Sequence, residues 1–266
     1  MPFVDCRHAS IYFEVCGEGP PLVFAHGAGG NTLVWWQQVP YFARRCRILT
    51  FDHRGFGRSR CEAGYEQARH FAGDVAAVLD AADIEQAALV CQSMGGWTGL
   101  QFARVHPQRV RSLVLSGTPA GILTSGVLEA LRTIATSAVQ MEAPALWNHA
   151  HPALAADIFE RDPARGFLYA QLAALNPAGS LARLALDEVM IDPTALREWS
   201  IPTLLVAGEH DRLFPPSALE EVAAVIPGAR FEVIRRAGHS PYFEAPEEFN
   251  RLVDAFLSEC GGLPPL

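Results

Sequence analysis

The sequence predicts an α/β protein: a mostly parallel central sheet flanked by helices, with a helical segment inserted in it. Three observations predict this. Short apolar runs alternate with helical patterns through residues 1–118 and again after residue 199. Turn-forming, often glycine-bearing segments close several of those runs. Between them, over residues 119–199, the chain becomes Ala/Leu-rich, helical in period and poor in strand signals.

The elements follow in order. Ile11–Val15 alternates and stops at Gly17-Glu18-Gly19-Pro20-Pro21, a turn signal. Leu22–Ala25 is a continuous apolar run closed by His26-Gly27, as in a strand buried on both faces. Arg47–Phe51 is a further strand, followed by the Gly-rich loop Asp52–Ser59. Phe71–Ala82 has helical periodicity, Ala87–Cys91 reads as a strand, Met94–Val105 as a helix and Val110–Leu115 as a strand. In the insertion, Pro144, Pro152, Pro163, Pro177 and Pro193 favour several short helices over long ones. Thr203–Ala207 resumes the buried-strand pattern, Pro216–Val225 is helical, Arg230–Ile234 is a strand, and Pro246–Ser258 is a final helix with proline at its start. The expected organisation is therefore residues 1–118 as the first part of an α/β core, 119–199 as a helical cap or lid, and 200–266 as the second part of the core.

Composition narrows the function. Of 266 residues, 50% are hydrophobic and 19% charged, which excludes a disordered chain. The apolar stretches fall short of the ~18–20 residues of a spanning helix, so no membrane partner is expected. A net charge of −8 argues against nucleic acid, whose phosphates require clustered positive charge. All 21 basic residues are Arg, which excludes a Lys Schiff base, a Walker Lys or a catalytic Lys. The six cysteines (Cys6, Cys16, Cys46, Cys61, Cys91, Cys260) form no C-x-x-C pair, and no export signal precedes them; this reads as a cytoplasmic protein with reduced thiols. His149 and His151 are the one pair that could share a metal, but partly exposed side chains are the commoner state of such a pair, so no metal is expected.

The segment Ala88-Leu89-Val90-Cys91-Gln92-Ser93-Met94-Gly95-Gly96-Trp97 carries the chemistry. An apolar strand runs into a helix with a serine at the junction and small residues after it, the context of a nucleophile elbow. The Met94 N–H, at the helix N-terminus, faces the same space and suits a developing oxyanion. Cys91 departs from the usual G-x-S-x-G pattern. A serine nucleophile needs a histidine base and a carboxylate to orient it. Asp211, in Gly208-Glu209-His210-Asp211, and His239, in Ala237-Gly238-His239-Ser240-Pro241, both follow strands, where ligand sites of open α/β sheets form. Glu209 competes with Asp211, and His210 with His239. The glycines of His26–Gly30 let N–H groups face inward, and the N–H of Ala28 is the expected second oxyanion donor. Asp52 and Arg54 are read as pins of a tight loop.

Together, His26-Gly27, the Asp52–Ser59 loop, the Ser93 elbow, the Asp211 loop and the Gly238-His239-Ser240-Pro241 end resemble the α/β-hydrolase superfamily. The resemblance spans most of the chain. It implies the α/β-hydrolase fold with an inserted cap, no cofactor, and acyl transfer on a small-molecule substrate. The Ser93 nucleophile sets the chain apart from the Asp-dependent dehalogenase and epoxide hydrolase branches. Gln92 and Ser240 stand where carbon–carbon hydrolases of the meta-cleavage type usually carry Asn and Trp. What remains resembles carboxylesterases and lactonases, with cofactor-free perhydrolases close by. The expected activity is hydrolysis of an ester or lactone of a small, largely apolar substrate, with a triad-retaining small-molecule receptor as the alternative of another class. His26, Gly27, Gly29, Trp147, Phe159, Phe167, Tyr169 and Met190 are the expected pocket residues. A homodimer is left open.

Overall fold

The computed structural model describes residues 3–136, 151–177, 187–261 and 263. Its strands are β1 (Phe3–Cys6), β2 (Ala9–Cys16), β3 (Pro21–Ala25), β4 (Arg47–Phe51), β5 (Arg60–Cys61), β6 (Ala87–Gln92), β7 (Val110–Ser116), β8 (Thr203–Gly208) and β9 (Arg230–Ile234). They form one sheet in the order β1-β2-β4-β3-β6-β7-β8-β9, with β5 beside β2. From β4 to β9 every pairing is parallel. β2 runs antiparallel to β4, and β1 and β5 run antiparallel to β2.

The central strands are apolar throughout because both their faces are covered. Side chains alternate between two cores. Val23, Leu49, Leu89, Leu113 and Leu205 face one side, against helices α2 (Phe71–Ala81), α3 (Met94–Val105) and α7 (Pro216–Val225). Leu22, Phe24, Ile48, Val90, Val114 and Val206 face the other, against α1 (Val39–Phe42), α8 (Pro241–Glu244) and α9 (Pro246–Glu259). The short antiparallel edge, β1 and β5, has no counterpart in the reading of the sequence. A four-residue strand with exposed and half-buried positions alternating leaves too weak an apolar signal.

The inserted segment contributes α4 (Ser125–Thr136), α5 (Ile158–Arg161) and α6 (Pro163–Ala173). Its neck is closed by a single bridge between Ile122 and Ile191. α4 lies on α7, where the Glu221 carboxylate accepts the Gly126 N–H at 2.7 Å. Leu154, Ile158, Tyr169 and Leu172 complete the core on the α9 side.

Parallel pairing brings the carboxyl ends of β3, β6, β8 and β9 to one edge. Chain order reverses across β3 and β6, β4 lying to one side and β7 to the other. Such a switch point opens a crevice above the sheet. At its centre α3 rests tightly on β6. A Cβ on Gly99 would overlap Cys91 Sγ and stand 3.0 Å from Leu113 Cδ1. The larger residue at position 91 is thus accommodated by the absent side chain at 99. Adding a methyl by Gly99→Ala is expected to cost about 1–3 kcal/mol of stability in urea unfolding. Cys91→Gly in the same chain should recover part of that loss, and strictly additive effects would contradict the packing argument.

Candidate active site

Ser93 joins β6 to α3 with φ 50° and ψ −116°, a backbone conformation that side-chain-bearing residues rarely adopt. Its N–H donates to Ser116 O on β7 (3.0 Å), and its C=O accepts from Gly96 N–H (2.8 Å). Ser93 is half-exposed while its neighbours from Ala87 to Gly96 are buried, so the turn lifts one hydroxyl out of the core.

Asp211 and His239 converge on it. His239 Nε2 stands 2.8 Å from Ser93 Oγ, and His239 Nδ1 stands 2.9 Å from Asp211 Oδ2. The second carboxylate oxygen, Asp211 Oδ1, accepts the N–H groups of Leu213 (2.8 Å) and Phe214 (2.9 Å), which fixes its orientation. With the carboxylate accepting from Nδ1–H, the imidazole presents Nε2 as the acceptor for the serine hydroxyl. Asp211 and His239 are both buried. Glu209 instead accepts the Arg236 N–H (2.8 Å), and the His210 side chain is half-exposed beside it, so neither competitor joins this chain of bonds.

The two expected oxyanion donors are the N–H groups of Met94 and Ala28. Met94 is the first residue of α3, so its N–H has no acceptor within the helix. The His26–Gly30 segment is a turn closed by Gly30 N–H donating to Gly27 O (2.9 Å), with Gly29 at φ 82°. That geometry uses the Gly30 N–H and leaves the Ala28 N–H unused by the turn. The turn lies directly on the elbow: a Cβ on Gly27 would overlap Gln92 Oε1 and come within 2.9 Å of Ser93 Cβ. Met94 packs in an apolar cluster with Phe56, Ala68, Phe71 and Val189, and the partly buried Ala28 and Trp97 rest against it.

Other expected site residues fall elsewhere. The His26 ring is fully buried: Nε2 accepts the His53 N–H (3.0 Å) and Nδ1 donates to Gly27 O (2.8 Å). It bolts the turn to the Asp52 loop. His53 continues inward to Thr98 Oγ1 at 2.8 Å. Burial lowers the pKa of both rings and keeps them neutral. Asp52 accepts the N–H groups of Thr32 (2.6 Å) and Arg58 (2.8 Å), while Arg54 pairs with Asp74 at 2.7 and 2.5 Å. Tyr169 is buried with its hydroxyl 3.0 Å from Ser240 Oγ, and burial pushes that hydroxyl up to about 12. Phe159 packs within the inserted segment, where a Cβ on Gly166 would meet its ring at 2.8 Å. Phe167 is 40% exposed, Met190 is half-buried, and Trp147 lies outside the described residues.

The reading of the sequence assigned no positioning role to several residues at the site. Gln92 Nε2 donates to His239 O (3.1 Å) across the site. His151 accepts the Ala153 N–H on Nδ1 (3.1 Å), stacks edge-on against Tyr169, and is lowered to about 4, chiefly by burial. Asn176 holds both Gly29 O (2.6 Å) and Gly57 N (2.9 Å). Glu244 is the one with a visible trace: a lone carboxylate in the otherwise apolar run Pro241-Tyr242-Phe243-Glu244-Ala245-Pro246. Among the described residues no group of His, Cys, Asp and Glu could hold a metal ion, and no helix is long and apolar enough to cross a membrane.

Comparison with known proteins agrees with this architecture. The family model of the alpha/beta hydrolase fold matches residues 20–187 and 169–246. The chain belongs to that family and is an enzyme of the α/β-hydrolase type. It is 29% identical over 264 residues to the candidate carbamate hydrolase RutD of Azorhizobium caulinodans, covering 97% of this chain and 99% of that protein. It is 33% identical over 271 residues to the 2-hydroxymuconate semialdehyde hydrolase of Pseudomonas sp. (strain CF600), covering 92% of this chain and 89% of the relative. The solved structure of Est816, described as an N-acyl homoserine lactone degrading enzyme, superposes with a TM-score of 0.81 at 29% identity, over 96% of this chain and 100% of that one.

The buried neutral histidines set a pH dependence of stability. Unfolded His53 binds a proton below its ordinary value of 6.5, whereas the folded ring, pushed well below that value by burial, does not. Stability from this residue is therefore complete above pH 6.5 and falls as pH drops below it, at up to about 1.4 kcal/mol per pH unit. Urea unfolding at pH 7.5 and 5.5 should show a smaller acid loss in His53→Gln than in the parent; equal losses would contradict a neutral buried ring.

Proposed function

We propose that the protein is a serine hydrolase that cleaves a carboxylic ester or lactone through an acyl-enzyme on Ser93. The observation that carries this reading is the continuous chain of bonds from Asp211 through His239 to Ser93 Oγ, at 2.9 and 2.8 Å. In the proposed reaction His239 Nε2 takes the hydroxyl proton as Ser93 Oγ attacks the substrate carbonyl. Asp211 stabilises the resulting imidazolium and holds its tautomer. The N–H groups of Met94 and Ala28 hold the oxyanion. The imidazolium then protonates the leaving alkoxide. Water, deprotonated by His239, attacks the acyl-enzyme and frees Ser93.

Ala28 and Trp97, the partly buried members of the apolar cluster next to the elbow, favour a small, largely apolar acyl or alcohol group. In this reading residues 119–199 act as the cap over the site. The six free cysteines agree with a reducing, cytoplasmic setting. Carbon–carbon hydrolysis is the second reading, favoured by the 33% identity to the semialdehyde hydrolase. Gln92 and Ser240 weigh against it, because they replace the Asn and Trp usual in that branch.

Steady-state hydrolysis of short p-nitrophenyl esters tests the assignment. Ser93→Ala should lower kcat/KM by at least about 1,000-fold, and Asp211→Asn should lower it comparably. A single turnover that leaves a persistent adduct would indicate a receptor. Parental activity in Ser93→Ala would overturn the mechanism. A panel of esters, lactones and vinylogous diketones separates the ester and carbon–carbon readings.

A further inference from the structure

One buried carboxylate outside the bond chain of Ser93 joins the inserted segment to the loop that carries His239. The Glu244 side chain, at the end of α8, is 0% exposed. Its Oε1 accepts the N–H of Gly238 at 2.9 Å, the residue before His239. Its Oε2 accepts the N–H of Ala155 at 2.9 Å, just before α5 in the inserted segment, and faces Arg161 Nη2 at 3.4 Å. The same guanidinium donates to Arg236 O (2.8 Å), at the start of the histidine loop. Arg165 on α6 donates to the Glu244 carbonyl (2.7 Å). Contact here is close, since a Cβ on Gly238 would overlap Ala155 N.

We propose that Glu244 is a positioning residue for His239: its carboxylate fastens the inserted segment to the peptide carrying the histidine, so that seating of the segment and alignment of the imidazole form one event. The proposal rests on the reading of His239 as the base. A carboxylate suits this position because it accepts with both oxygens. Two backbone donors, from two different parts of the chain, converge on it away from water. An apolar residue would orphan both donors, and an amide would satisfy one while turning its own N–H₂ toward the other. A displacement of the Gly238 peptide carries directly into His239, whose Nε2 must stay within bonding reach of Ser93 Oγ. Small misplacements of a reacting group cost large factors in rate.

Glu244→Gln tests this with two readouts. The first is the strongly deshielded proton NMR signal of His239 Nδ1–H, bonded to Asp211. The second is kinetics on a p-nitrophenyl acetate substrate. The signal is expected to shift or broaden, and kcat to fall about tenfold to a hundredfold with KM nearly unchanged. A Glu244→Gln protein that melts cooperatively with the parental signal or the parental kcat overturns the proposal. If that variant does not fold, Arg161→Gln decides. It removes the cation facing the clamp and should move the same proton signal in the same direction; an unmoved signal overturns the proposal. If the wild type turns over no ester, the ester reading fails, while the proton signal still reports whether Glu244 aligns the ring.

Discussion

The site depends on one strained backbone turn. Ser93 sits at positive φ between a strand with six buried residues and a helix that begins at the next residue. Such a conformation costs on the order of 1–3 kcal/mol and persists only where the surroundings over-determine it. Here they do. Ser116 anchors the Ser93 N–H from the neighbouring strand, Gly96 closes on its carbonyl, and the Gly27 turn lies against its side chain. Helix α3 can approach β6 this closely because position 99 has no side chain to collide with Cys91. The large parallel sheet supplies the rigidity that keeps the strain from relaxing.

From that point outward, the rim of the site is held by polar straps between the inserted segment and the loops at the carboxyl ends of the strands. Asn176 ties the end of α6 to the Gly29 turn and the Gly57 loop. Arg212, next to Asp211, donates to the carbonyl of His151 (3.0 Å). Glu244 ties Ala155 to Gly238. Each strap lands on or beside the Gly29 turn, Asp211 or His239. The inserted segment thus bears on the geometry around Ser93.

The central strands were legible in the sequence because burial on both faces writes a continuous apolar run, and β4, α3, α7 and β9 start and end where the pattern does. Ser93 was legible because it stands just past such a run, and Asp211 and His239 because each lies in the loop after a strand, at the end where ligand sites of open α/β sheets form. Glu244 and Gln92 were not, since their partners Ala155 and His239 lie 89 and 147 positions away. His26 follows a strand as a ligand-facing residue would, yet its ring turns inward to His53, a choice made by a partner 27 positions away. The aromatic residues of the inserted segment were the least legible. Tyr169 and Phe159 share the composition of a pocket wall but pack into the core and against α6, because helix period says which residues lie together and not what they face.

The central claim is a covalent bond to one oxygen. Rapid acid quench of the enzyme during turnover of p-nitrophenyl acetate, followed by intact mass measurement and peptide mapping, tests it most directly. The account predicts a single acetyl group on the peptide containing Ser93, at Ser93 itself, absent after Ser93→Ala. Turnover with no acyl group on that peptide, or with the group on Cys91 or another residue, would contradict it.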